Sequence, residues 1–131
     1  MRFSGVVAMA MALVPVVAMA QATDQFDLNC RGILHPRPGD PEIKMERRYH
    51  IDLKANRWCF DGCVTPKAIT GVTPDMITLE KLAARDNYLH TEVNRFVNRQ
   101  NGAVFDSDGD GHYYTGQCEK ADFTPLPQPK F

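Results

Sequence analysis

The sequence predicts a small all-β domain, a disulfide-stapled antiparallel barrel or sandwich of seven to eight short strands. Three observations predict it: apolar runs that alternate with a period of two, turn signals between nearly all of them, and four cysteines in a chain of only 131 residues. A chain of this length has room for one such domain. With 15 basic and 16 acidic residues and a formal charge of -1, it lacks the concentrated basic surface that displaces counterions from phosphate, so no nucleic-acid partner is expected.

Residues 1–20 read as a secretory signal peptide. Arg2 precedes an apolar run that begins at Gly5, and the small residues Ala18 and Ala20 stand in an A-x-A arrangement, with cleavage expected after Ala20. The run of about 16 residues is shorter than the roughly 20 that a bilayer core requires, so no membrane span is expected in the mature form. Residues 21–123 then make a single β domain and residues 124–131 a proline-rich tail, read as extended or disordered.

Along the domain, Phe26-Asp27-Leu28-Asn29-Cys30 alternates as a half-buried strand does. His35-Pro36-Arg37-Pro38-Gly39-Asp40-Pro41 holds three prolines and a glycine, so it is a loop. Tyr49, Ile51 and Leu53 point one way and His50 and Asp52 the other, giving a second strand. A turn at Lys54-Ala55-Asn56 leads to Arg57-Trp58-Cys59, followed by the three-residue loop Phe60-Asp61-Gly62 and Cys63. Ala68-Ile69-Thr70 and Met76-Ile77-Thr78-Leu79 are β-prone runs separated by the turn signal Thr73-Pro74-Asp75. The stretch 80–99 fits either a helical stripe (Leu89, Val93, Phe96, Val97) or one face of a strand; the hairpin turn Gln100-Asn101-Gly102 that follows favours the strand, returning through Ala103-Val104-Phe105. Tyr113-Tyr114-Thr115 opens the last strand, which ends near Cys118.

Export places the four cysteines in an oxidising compartment, where thiols pair. Three pairings are possible, and Cys30 with Cys118 plus Cys59 with Cys63 is favoured: the first joins the first and last strands, and the second closes a short glycine turn. A zinc site built on the C-x3-C pair would need a second close Cys or His pair, which the sequence does not supply.

The motifs F-D-L-x-C (residues 26–30), I-D-L (51–53), W-C-x3-C (58–63), V-x-R-x-x-G (97–102) and G-x-C-x4-F (116–123), in this order, resemble those of a group of small exported bacterial proteins of unknown function. The resemblance spans nearly the whole mature chain and implies export, a small β fold and paired cysteines. The prolyl loop after His35 and the aspartate run after Phe105 fall outside that pattern. In size and architecture alone, the chain is also similar to the small periplasmic inhibitors of lysozyme.

The sharpest local feature is Asp106-Ser107-Asp108-Gly109-Asp110-Gly111, whose Asp106, Asp108 and Asp110 match the first half of a calcium loop. Position 12 is Gln117 where a bidentate glutamate would stand, so the alternative is an acidic hairpin loop in solvent. No catalytic residue is assigned. Ser107 is the only serine after residue 20 and lies between two aspartates, the cysteines are paired, and His35, His50, His90 and His112 show no closely spaced ligand motif. Asp27 and Asp52 could face one pocket as an acid–base pair, although strand aspartates more often face solvent. Trp58 reads as a core residue on a disulfide, and Arg95 and Arg99 as a solvated strand face. The sequence therefore predicts a periplasmic or secreted binding module, inhibitor-like or envelope-associated, whose partner is a protein or a cell-envelope component. The loops 35–41 and 106–111 are its candidate contact surfaces. The rival is a small carboxylate-dependent or calcium-dependent hydrolase.

Overall fold

A computed structural model of the chain describes residues 24–83 and 92–130. The predicted signal peptide lies outside the described residues, as do Leu89 and His90. All regular structure among the described residues is β, in nine strands: β1 (Gln25–His35), β2 (Ile43–Asp52), β3 (Arg57–Phe60), β4 (Lys67–Ala68), β5 (Gly71–Val72), β6 (Met76–Leu82), β7 (Val93–Asn98), β8 (Ala103–Asp108) and β9 (Tyr113–Ala121). They form one antiparallel sheet in the order β4-β3-β2-β1-β9-β8-β7-β6-β5.

The sheet is curled. Its two edge strands, β4 and β5, are separated by only Ile69 and Thr70, and these two residues bond to opposite ends of the sheet. Ile69 N–H donates to Asn56 O and Thr70 N–H to Thr78 O. A second sign is the hydrogen bond from Arg47 on β2 to Asp106 on β8, 2.8 Å long. These strands are three places apart, which in a flat sheet means about 14 Å. The result is a half-barrel with a concave inner face and a convex outer one.

Period-two alternation decides which side chains go inside. Phe26, Leu28 and Cys30 of β1, Tyr49 and Ile51 of β2, Trp58 of β3, Ile77 and Leu79 of β6, Val97, Val104 and Tyr114 line the core. Trp58 is fully buried with Tyr49 and Phe60 rings around it, and it faces inward while its neighbour Cys59 faces outward to the second disulfide. Each fully buried aliphatic or aromatic side chain contributes about 1.5–3 kcal/mol.

Both disulfides pair as the sequence favoured, Cys30 with Cys118 and Cys59 with Cys63. Cys30 stands directly opposite Cys118 in the β1–β9 register, so the bridge crosses the middle of the sheet and ties the first strand to the last. Beside it Gly32 faces Gly116. A Cβ on Gly32 would sit 2.6 Å from the Gly116 Cα and closer still to the Thr115 carbonyl oxygen, both backbone atoms that cannot swing aside. Gly32→Ala should therefore cost about 1–3 kcal/mol in urea unfolding.

Several local readings shift. β1 runs through to His35 and β2 begins at Ile43, so the prolyl loop is the tight end of a long hairpin. The run at residues 68–70 is interrupted, because the chain leaves β3 at Ala68 and joins β6 from Gly71. In the ambiguous stretch, β6 extends to Leu82 and β7 starts at Val93; residues 84–91 lie outside the described residues. The tail is extended but not free: Leu126 is buried, and Thr124 is anchored to Asp27. Composition reports only that a proline-alternating segment forms no helix or sheet, and a buried aspartate on the convex face supplies the anchor.

Candidate functional site

The concave face carries charges among its apolar residues. Arg47 shares that face with Met45 and Tyr49, Arg95 with Val97, and Asp106 with Val104, so curling drives three charged groups into one space. They satisfy one another. Asp106, 3% exposed, accepts from Arg47 Nη1 at 2.8 Å, Tyr49 Oη at 2.9 Å and Arg95 Nε at 2.6 Å. Arg95 Nη1 also donates to Glu80, which receives Lys67 Nζ at 3.2 Å on each oxygen. The Arg47 guanidinium lies 4.5 Å over the Tyr114 ring and that of Arg95 lies 5.5 Å over Phe60.

Burial and the adjacent Asp106 charge push the Tyr49 phenol far above its ordinary range, so it stays a donor. Burial pulls Arg95 down, but the charges of Asp106 and Glu80 outweigh it, and the guanidinium keeps its proton more firmly than a free one.

Arg47, Arg95 and Asp106 of this network line a cleft of about 720 Å³. Leu34 and Phe60 supply apolar wall, and Asp61, Asp108 and His112 stand at its rim. No family model, curated protein or solved structure matches the chain.

Asp106, Asp108 and Asp110 are divided by the structure. Asp106 is committed to two arginines and a tyrosine, whereas Asp108 and Asp110 form a group with His112, their ligand atoms within 4.8 Å of one another. Residues 106–108 belong to β8, so the loop proper is shorter than the acidic run. Asp27 and Asp52 share the convex face and line no pocket described. Asp52 takes Gln25 Nε2 and the Ala55 N–H, while Asp27 takes His50 Nδ1 at 2.8 Å and Thr124 through both N–H and Oγ1. His50 Nε2 faces Asp61 at 3.2 Å. His35 stacks on Tyr113 at the end of β1, and Arg99 bonds the Thr73 carbonyl. Reading Arg95 with Arg99 as a solvated face is corrected: Arg95 points into the curl, and Arg99 lies past the end of β7. Arg47 and Glu80 belong to no motif legible in the sequence, and Tyr49 is legible there only as a strand residue. The signal available for them was a charge of either sign on the apolar side of a period-two run.

Burial alone would raise the Asp27 carboxyl, but the hydrogen bonds from Thr124 and His50 outweigh it and leave it below its usual value. A depressed folded value means stability that is present above the unfolded carboxylate range, near pH 4, and lost as pH falls through the folded value. In thermal melts from pH 7 to 2, the gap between wild type and Asp27→Asn should therefore narrow below about pH 4. A gap constant with pH would show that Asp27 contributes no charge-dependent stability.

Proposed function

We propose that this chain is an exported binding module, periplasmic or secreted, that takes a protein or cell-envelope partner in the concave cleft. One observation carries the reading: Asp106, the buried carboxylate of the cleft, already has both oxygens occupied by Arg47, Tyr49 and Arg95, and Arg95 is held in turn by Glu80 behind it. A carboxylate fixed by that many donors is a rigid element of a recognition surface and a poor proton shuttle. The two disulfides are compatible with an oxidising compartment. Likeness to lysozyme inhibitors in size and architecture makes cell-wall hydrolases the first partners to test.

The test is capture from envelope extract by immobilised wild type, Asp61→Arg and His112→Glu, together with inhibition of lysozyme in a cell-wall clearing assay. A partner held by wild type and lost by both rim variants is expected. Equal capture by all three overturns the assignment to the cleft, and product release from cell-wall or ester substrates by the chain alone makes it an enzyme.

The hydrolase reading in its calcium-dependent form is favoured by the grouping of Asp108, Asp110 and His112. Calcium takes six to eight oxygens, so water would have to complete a set of two carboxylates, and an imidazole suits softer divalent cations better. Calorimetry with calcium on wild type, Asp108→Ala and Asp110→Ala separates the two cases. Saturable heat lost in both variants supports this reading, and no heat at several millimolar removes it.

A further inference from the structure

β2 is paired along its whole length with β1, but with β3 only from Tyr49 to Asp52. β3 ends at Phe60 because Gly62, at φ 72, and the Cys59–Cys63 bridge turn the chain away. The last bond on that side runs from Asp61 N–H to Arg48 O. From Ile43 to Arg47 the edge has no backbone partner among the described residues. A strand residue's N–H and C=O point to the same side and alternate along the chain. Since Arg48 O faces the β3 side, the main-chain groups of Lys44 and Glu46 face it too, unpaired. Lys44 and Glu46 are exposed, and Ile43 is 47% exposed at the start of the same edge.

Charges on an open edge commonly guard against pairing. A guard works best with one sign, and here the signs alternate: Glu42, Lys44, Glu46, Arg48. Laid antiparallel against itself about a two-fold axis at Met45, this segment puts Lys44 opposite Glu46 twice, with Glu42 toward Arg48 at each end. Moving the axis to Glu46 sets Glu46 against Glu46 and Lys44 against Arg48. Moving it to Lys44 sets Lys44 against Lys44 and Glu42 against Glu46. The register centred on Met45 is thus the one in which the charges attract, and it is also one in which Lys44 and Glu46 exchange main-chain hydrogen bonds.

We propose that the chain forms a two-fold dimer by antiparallel pairing of residues 43–47 of β2 with the same residues of a second copy. Ile43 of each copy then lies across from the aliphatic stem of Arg47 of the other. The contact is short, so association is weak and concentration-dependent.

Sedimentation velocity at low salt, from micromolar to about millimolar chain, should show a monomer–dimer equilibrium that weakens with added salt. Lys44→Glu, which puts like charges across both central pairs, should raise the dissociation constant at least about tenfold, and Lys44→Glu with Glu46→Lys should restore it. Amide hydrogen exchange at Lys44 and Glu46 should slow as concentration rises. A wild type that stays monomeric throughout overturns the proposal and leaves the edge as a guard. A dimer indifferent to Lys44→Glu, or one that does not protect these two amides, overturns it as well.

Discussion

Asp106→Ala should be the most damaging single substitution on the concave face, lowering stability in urea unfolding by about 3–5 kcal/mol. The aspartate is the shared acceptor of two guanidinium groups and a phenol. Its removal leaves Arg47 and Arg95, 23% and 12% exposed, with charges that neither water nor protein can fully solvate. The cost is that of stranding the donors, which exceeds what the intact network contributes net. Asp106→Asn keeps the shape and one acceptor oxygen, so it should lie between wild type and alanine. Because the group is shielded from counterions, the loss should be nearly the same at 0.1 and 1 M salt, to within about 0.5 kcal/mol. The exposed Arg31–Glu46 pair, at 87% and 78%, is the contrasting case, and breaking it should cost under about 1 kcal/mol. An Asp106→Ala loss below about 1 kcal/mol would mean that the arginines reach water without unfolding.

Removing the Cys30–Cys118 bridge by Cys30→Ala with Cys118→Ala should cost about 2–5 kcal/mol, near the upper end if loop entropy dominates. The bridge spans 88 residues, against four for Cys59–Cys63, and the same relation assigns the short bridge about 2 kcal/mol. Position adds to length. Cys30 and Cys118 occupy opposed sites at the centre of the strand order, so the bridge holds β1 to β9, the strand pair most distant in sequence. The measurement is the difference in urea midpoint and slope between wild type and each double variant. An unchanged midpoint for the Cys30/Cys118 variant would show that β1 and β9 stay paired in the unfolded ensemble without it.

What could be read in advance was local. The turn at residues 100–102 carries a glycine at φ 74, Asn56 takes a left-handed conformation in its predicted turn, and the strand runs around them follow from alternation. The strand at 43–48 went unread because its alternation is partly between charges: Arg47 occupies a position where an apolar residue would have given the pattern away. The acidic run was read as one loop because spacing alone cannot say that a strand continues through residue 108. That continuation turns Asp106 inward and leaves Asp108 and Asp110 near His112.

Alternation and turn chemistry make the all-β class and most of the turns legible in the sequence, because they act over a few residues, whereas the cysteine pairing was one favoured choice among three until the β1–β9 register set Cys30 opposite Cys118. Which charges lie inside depends on the closure of the sheet. Alternation assigns residues to two faces of a strand, but the curl of the sheet makes one face concave, and that curl depends on β4 and β5 meeting through Ile69 and Thr70. The contact of Arg47 and Tyr49 with Asp106, more than 50 residues apart, exists only once strands three places removed are brought within hydrogen-bonding distance. No local pattern encodes that closure.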